Sequence, residues 1–148
     1  MNHSLIKRQS LTKRRGAVVV ETAIVLPIFL LVLLGIMEFG RAMMVSQLVT
    51  TAARDANRMA IMSGSSNAEC EDLIEEFLNN TLGLAAGDIT INISVTKSGG
   101  GTLTEVGDAV QGDLCVISVE IPFDKVSLVQ GSYLVGKMLS GDSQMRHL

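Results

Sequence analysis

The stretch RRGAVVVETAIVLPIFLLVLLGIMEFGRA, residues 14–42, decides how this chain is organised. Its 21 residues from Ala17 to Met37 are apolar apart from Glu21, the only ionisable group among them. As an α-helix such a run reaches about 31 Å, close to the roughly 30 Å hydrocarbon core of a bilayer. It therefore reads as a membrane-spanning helix. Five bases (Lys7, Arg8, Lys13, Arg14 and Arg15) and no acids precede it. By the positive-inside rule, residues 1–16 form a basic cytoplasmic leader and the remainder of the chain lies outside. A removed signal peptide is the competing reading. Its apolar core runs about 7–15 residues and ends at small residues, whereas this run is longer and exits through Glu38-Phe39-Gly40-Arg41. Pro27 lacks an N–H and crowds the carbonyl of Ala23, so the helix is expected to bend there. A passive kink and a functional hinge are both open readings.

Beyond Gly40 the apolar residues Val45, Leu48, Val49, Ala52, Ala56, Met59 and Ala60 recur at three- and four-residue steps. That spacing makes one stripe of an amphipathic helix. Gln47, Thr51, Arg54, Asp55 and Arg58 fall on the other side, and Ser/Gly residues from 63 to 66 stop the pattern. The expected helix from about Ala17 to Met62 would be roughly 69 Å long. The organisation is thus a leader (1–16), a transmembrane helix (17–37), an amphipathic extension (38–63) and an outer domain (64–148).

In that outer domain AECEDLIEEFLNNTLGL predicts a helix over 67–82, ended by Gly83, with Leu73, Ile74, Phe77 and Leu78 on one face. Residues 88–96 alternate Ile89, Ile91, Ile93 and Val95 with polar neighbours, the mark of a half-buried strand. A Ser-Gly-Gly-Gly turn follows, then a short strand over 103–106. Residues 114–123 form a second strong strand that puts Cys115, Ile117, Val119 and Ile121 on one face. Residues 126–138 are read as a last helix. The fold class is α+β: a long helix packed on a small antiparallel sheet, with one or two further helices.

The composition excludes several functions. Residues 42–148 carry 13 acids against 6 bases, so no basic face is available for nucleic acid. The Gly-rich turn lacks the Lys-Ser/Thr that completes a phosphate loop. His3 and His147 stand near opposite ends of the chain without a ligand cluster, so no metal or other cofactor is expected. The acids Glu69, Glu71, Asp72, Glu75 and Glu76 read as a solvated helix face. Nothing pairs a nucleophile with a base, and no enzyme is expected. Cys70 and Cys115 are the only cysteines. In an oxidising compartment they could form a disulfide, the alternative being two small buried thiols.

The stretch from Arg14 to Gly40 resembles the N-terminal signature of TadE-like proteins, minor pseudopilins of tight-adherence (type IVb-like, Flp) pilus systems. The resemblance rests on the basic pair before Gly16, the spacing to Glu21, the Val25-Leu26-Pro27 step and the exit Gly35-Ile36-Met37-Glu38-Phe39-Gly40. It implies a pilin-like fold, a bacterial inner-membrane location and a part in pilus assembly, adhesion or secretion. The implied partners are a prepilin peptidase, other pilus or pseudopilin subunits, their assembly platform and the lipid bilayer. It also implies cleavage between Gly16 and Ala17, which leaves Glu21 as the fifth residue of the product. Gly16 suits that cut, since it has no side chain to obstruct a protease and is expected to break the helix. An uncleaved anchor whose Glu21 reaches back to the cytoplasmic surface is the alternative, as an extracytoplasmic binding module without a pilus role.

Overall fold

A computed structural model describes residues 6–62, 64–128, 134 and 136–147, with side chains from residue 16 onward. The chain divides into two compact units, Met1–Met37 and Glu38–Leu148.

The first unit is occupied by the start of helix α1, which spans Ile6–Ala60 and so continues into the second unit. Its helix is continuous through both Gly16 and Pro27. The expected break at Gly16 is therefore corrected: the helix begins ten residues earlier, at Ile6. One glycine costs a helix interior only about 1 kcal/mol, which neighbouring helix formers offset. The helix contains a segment long and apolar enough to cross a membrane, with none of that window buried inside the protein.

In the second unit, α1 supplies one wall of the core. Ala42, Val45, Val49, Ala52, Ala53, Ala56 and Ala60 are buried. Leu48 and Met59, expected in the stripe, sit half-buried at its margins. Helix α2 (Asn67–Leu82) matches its expected bounds. Ser66 accepts from the Glu69 N–H at 3.4 Å, and the Ser66 N–H donates to Glu69 Oε2 at 3.0 Å, forming a reciprocal capping box. At the other end Gly83 adopts φ 71°, a left-handed conformation that its missing Cβ makes accessible, and its N–H caps the Asn79 carbonyl at 2.8 Å. Cys70, Ile74 and Leu78 face the core, with Leu73 and Phe77 packed at its edge.

Four antiparallel strands follow: β1 (Thr90–Thr96), β2 (Thr102–Leu103), β3 (Leu114–Pro122) and β4 (Met138–Arg146). Their spatial order is β2-β1-β3-β4. The central strand β3 alternates strictly: Cys115, Ile117, Val119 and Ile121 are buried while their neighbours are half-buried. That pattern follows from the two-residue period of a strand with one face on the core. Residues 97–101 form the turn between β1 and β2, closed by Lys97 N–H to the Gly101 carbonyl at 2.9 Å.

The C-terminal region differs from expectation. Within 126–138 the described residues are turn or irregular, apart from Met138 at the start of β4. Residues 129–133 and 135 of the proposed helix lie outside the described residues. Strand β4 went unread because MLSGDSQMR lacks alternating apolar residues. Its fully buried positions are Gly141 and Ser143, which bury little apolar area but let the strand approach α1 closely, while Leu139 on the same face packs half-buried against the core. A Cβ on Gly141 would lie 2.5 Å from Thr50 N and 2.8 Å from the Val49 carbonyl carbon. β4 pairs with β3 from Leu114↔Arg146 to Pro122↔Met138, so backbone hydrogen bonds rather than side chains define it.

Candidate functional site: the apolar helix and the second unit

The residues singled out for processing all lie on α1. Gly16 is exposed, and nothing lies within 4 Å of where its Cβ would be. Ala17 and Glu21 are four positions apart and therefore share a helix face one turn apart. Glu21 is exposed, and among the described residues it has no hydrogen-bond or ion-pair partner. It borders a shallow groove with Thr22, Val25, Leu26 and Phe29. The Thr22 hydroxyl donates to the Val18 carbonyl at 2.9 Å, which keeps that polar group satisfied within the apolar run.

Where the second unit begins, sequence reading missed a docking point. Glu38 was read as the exit from the apolar run and as part of the resemblance, yet the residue is buried, with 5% exposure. Ser127 Oγ donates to its Oε1 at 2.6 Å. One turn further, Arg41 Nε donates to the Val126 carbonyl at 3.2 Å. Together they tie the turn after β3 to α1. A Glu and an Arg three residues apart are a recoverable signal for one helix face, but their partners 85 and 89 positions away are not.

Asn57 was likewise unread. It is fully buried within the α1 stripe and donates through Nδ2 to the Ser143 hydroxyl at 3.1 Å and to the Cys115 carbonyl at 3.4 Å. Its Oδ1 accepts nothing from the described residues. An apolar substitute would leave fewer constraints on how α1 meets β3 and β4, since a buried amide favours one register.

The two cysteines are buried free thiols in the same core. Cys70 Sγ donates weakly to the Ala56 carbonyl at 3.7 Å. Burial, then the nearby Cys115, then Glu69 and Glu71 push the Cys70 thiol up to about 11. Burial raises Cys115 as well. Both are therefore protonated at neutral pH and poorly suited as nucleophiles or metal ligands. Among the described residues no group of three or more His, Cys, Asp or Glu could hold a metal ion.

At the opposite end of the sheet, Asp113 accepts from the Ser98 N–H at 2.9 Å and the Val110 N–H at 3.1 Å. These bonds hold its carboxyl below the ordinary carboxylate range. The His147 N–H donates to the Asp113 carbonyl at 2.8 Å, and the Gly112 N–H to the His147 carbonyl at 3.0 Å, joining the chain's end to this loop. His3 lies outside the described residues.

These features define a class: a small α+β domain carried on an apolar N-terminal helix of membrane-spanning length. Residues 16–58 match the family model described as TadE-like protein, so this N-terminal segment is similar to that family. No curated protein and no solved structure matches the chain. The family match and the apolar helix together fit a membrane protein associated with pili.

Proposed function

We propose that this chain is a minor pseudopilin that enters or primes a tight-adherence pilus after cleavage between Gly16 and Ala17. The observation carrying the reading is the TadE-like match over 16–58, which begins at Gly16 itself and extends across the span into the amphipathic helix. The basic leader holds the cut at the cytoplasmic face of the membrane, where a prepilin peptidase works. Cleavage creates an amine on Ala17, and the unpartnered Glu21 carboxylate is available to pair with the new amine of a neighbouring subunit. Near the interface that carboxylate costs well below the roughly 2.5–3.5 kcal/mol of a charge at mid-bilayer. The partners are then the peptidase, other pilus subunits and their assembly platform, and the protein itself performs no catalysis.

One observation favours a second reading. α1 continues unbroken through Gly16, so a peptidase must unwind the helix there before cutting. An uncleaved anchor presenting the outer domain as a binding module needs no such step. N-terminal sequencing of the membrane-extracted protein separates the two. A start at Ala17, lost in Gly16→Leu, supports the pseudopilin; an intact Met1 in cells that assemble pili refutes processing. Glu21→Ala is expected to be cut normally yet to reduce pilus assembly. Unchanged pili would refute the charge-pairing role.

A further inference from the structure

We propose that the open edge of β4 takes up an acidic, extended segment of another polypeptide as a fifth strand, seated beside α1. The site lies wholly in the second unit and is independent of cleavage at Gly16.

The sheet order gives β4 one neighbour, β3. Two bonds bracket their ladder in a single register: the Phe123 N–H to the Lys137 carbonyl at 2.9 Å, and the His147 N–H to the Asp113 carbonyl at 2.8 Å. In an antiparallel pair, residues that exchange hydrogen bonds alternate with residues that do not. Stepping by twos between the brackets, Leu139, Gly141, Ser143 and Met145 turn their N–H and C=O toward β3. Ser140, Asp142, Gln144 and Arg146 turn theirs away from it. All four are exposed, and among the described residues their backbone groups meet no other strand. Such an edge is a template for a further strand. β2, at the opposite edge, is blunted by its two-residue length; β4 runs for nine residues without a proline or a bulge.

α1 supplies a shelf beside that edge. Its backbone at Thr50 lies against Gly141, and Asn57 bonds Ser143, so the line from Thr50 to Asn57 runs over β4. On one flank of that line Val49, Ala53 and Ala56 are buried in the core. On the other flank Met43, Gln47 and Arg54 share a face with Thr50 and are exposed, so they overhang the open edge. Charge then selects the occupant. Residues 42–148 carry 13 acids against 6 bases. Three of those bases flank this edge: Arg54 on α1, Lys137 just before β4 and Arg146 at its end. None of them has an ion-pair partner among the described residues. Of the nearby acids, Asp142 accepts from the Ser118 hydroxyl at 2.6 Å, and Glu120 stands one strand further in, opposite Ser140. A basic edge favours a strand that carries carboxylates and opposes the like-charged edge of a second copy. Apolar residues on the helix side of that strand would cover Met43.

The probe is a capped, fluorescein-labelled peptide of alternating Val and Glu, titrated with the full-length protein in nonionic detergent at neutral pH and followed by anisotropy. Saturable binding is expected, and none is expected for the Val-Lys counterpart. N-methylating the peptide along one edge removes its ladder bonds and should weaken binding about tenfold. Gln144→Pro removes an N–H that faces the open edge while leaving the β3 ladder intact, and should weaken binding by a similar factor. Arg54→Glu combined with Arg146→Glu, which leaves the backbone edge untouched, should also weaken it about tenfold. Protection of the buried Cys70 and Cys115 thiols from alkylation checks that each variant is folded. Absence of saturable binding to the Val-Glu peptide would overturn the proposal. Equal binding of the N-methylated peptide, or of the folded Gln144→Pro variant, would reduce the contact to charge attraction and overturn strand addition. Equal binding of the Val-Lys peptide would overturn the acidic partner. Self-association in sedimentation that Gln144→Pro abolishes would assign the edge to a second copy and overturn it likewise.

Discussion

The most exacting packing contact in the outer domain is at Gly141, and a single methyl group tests it. In Gly141→Ala the new Cβ would meet Thr50 N at 2.5 Å, Thr50 Cα at 2.7 Å and the Val49 carbonyl carbon at 2.8 Å. All three are backbone atoms of α1, so no rotamer change relieves the clash. β4 must lift from the helix, or the helix must shift. Overpacking typically costs about 1–3 kcal/mol, and rigid backbone obstacles put this case at the upper end, about 2–3 kcal/mol. At 1.4 kcal/mol per tenfold, the population of the opened domain rises about 30- to 140-fold. Cys70 and Cys115 report on that opening, because both are buried thiols that an alkylating reagent reaches only when the core opens. Labelling of the pre-reduced full-length protein in detergent should accelerate by that factor under conditions where opening is a rapid pre-equilibrium. Gly87→Ala is the control, since no atom lies within 4 Å of its Cβ position, and it should label at the wild-type rate. Equal rates for Gly141→Ala and wild type would refute the close approach of β4 to α1.

Two further predictions concern the core and its charged loop. Oxidation of the pair by the thiol–disulfide oxidants of an extracytoplasmic compartment should join Cys70 and Cys115, closing a 46-residue loop worth at most about 4 kcal/mol on the chain-entropy estimate; full alkylation of denatured, unreduced protein from cells would exclude the bridge. Asp113 has a lowered folded pKa, so its stabilisation is complete above the ordinary carboxylate value of about 3.9 and disappears as pH falls through the lowered one. Asp113→Asn should accordingly be less stable than wild type in denaturant titrations at pH 7, with the gap narrowing below about pH 4; a gap that is constant or widens in acid contradicts the assignment.

The sequence by itself determined the elements whose side chains repeat. The apolar run 17–37 is legible because its composition is nearly uniform along its length, and Glu21 and Pro27 stand out against it. Helix α2 was legible from the one-sided spacing of Leu73, Ile74, Phe77 and Leu78 and from Gly83 at its end, signals that lie within a few residues of one another. β3 was legible because a half-buried strand must alternate, and the TadE-like signature because its parts lie within one helix. Tertiary structure decided the rest. β4 is a strand because β3 offers it a ladder of hydrogen bonds, and its Gly141 and Ser143 are chosen for closeness to α1 rather than for hydrophobicity. Glu38 and Asn57 look like solvent-facing polar residues in the sequence. Only the arrival of Ser127, Ser143 and the Cys115 carbonyl, from more than 50 positions away, gives them buried partners. Pairings across such separations leave no periodicity in the chain, and so they appear only once the sheet has folded onto the helix.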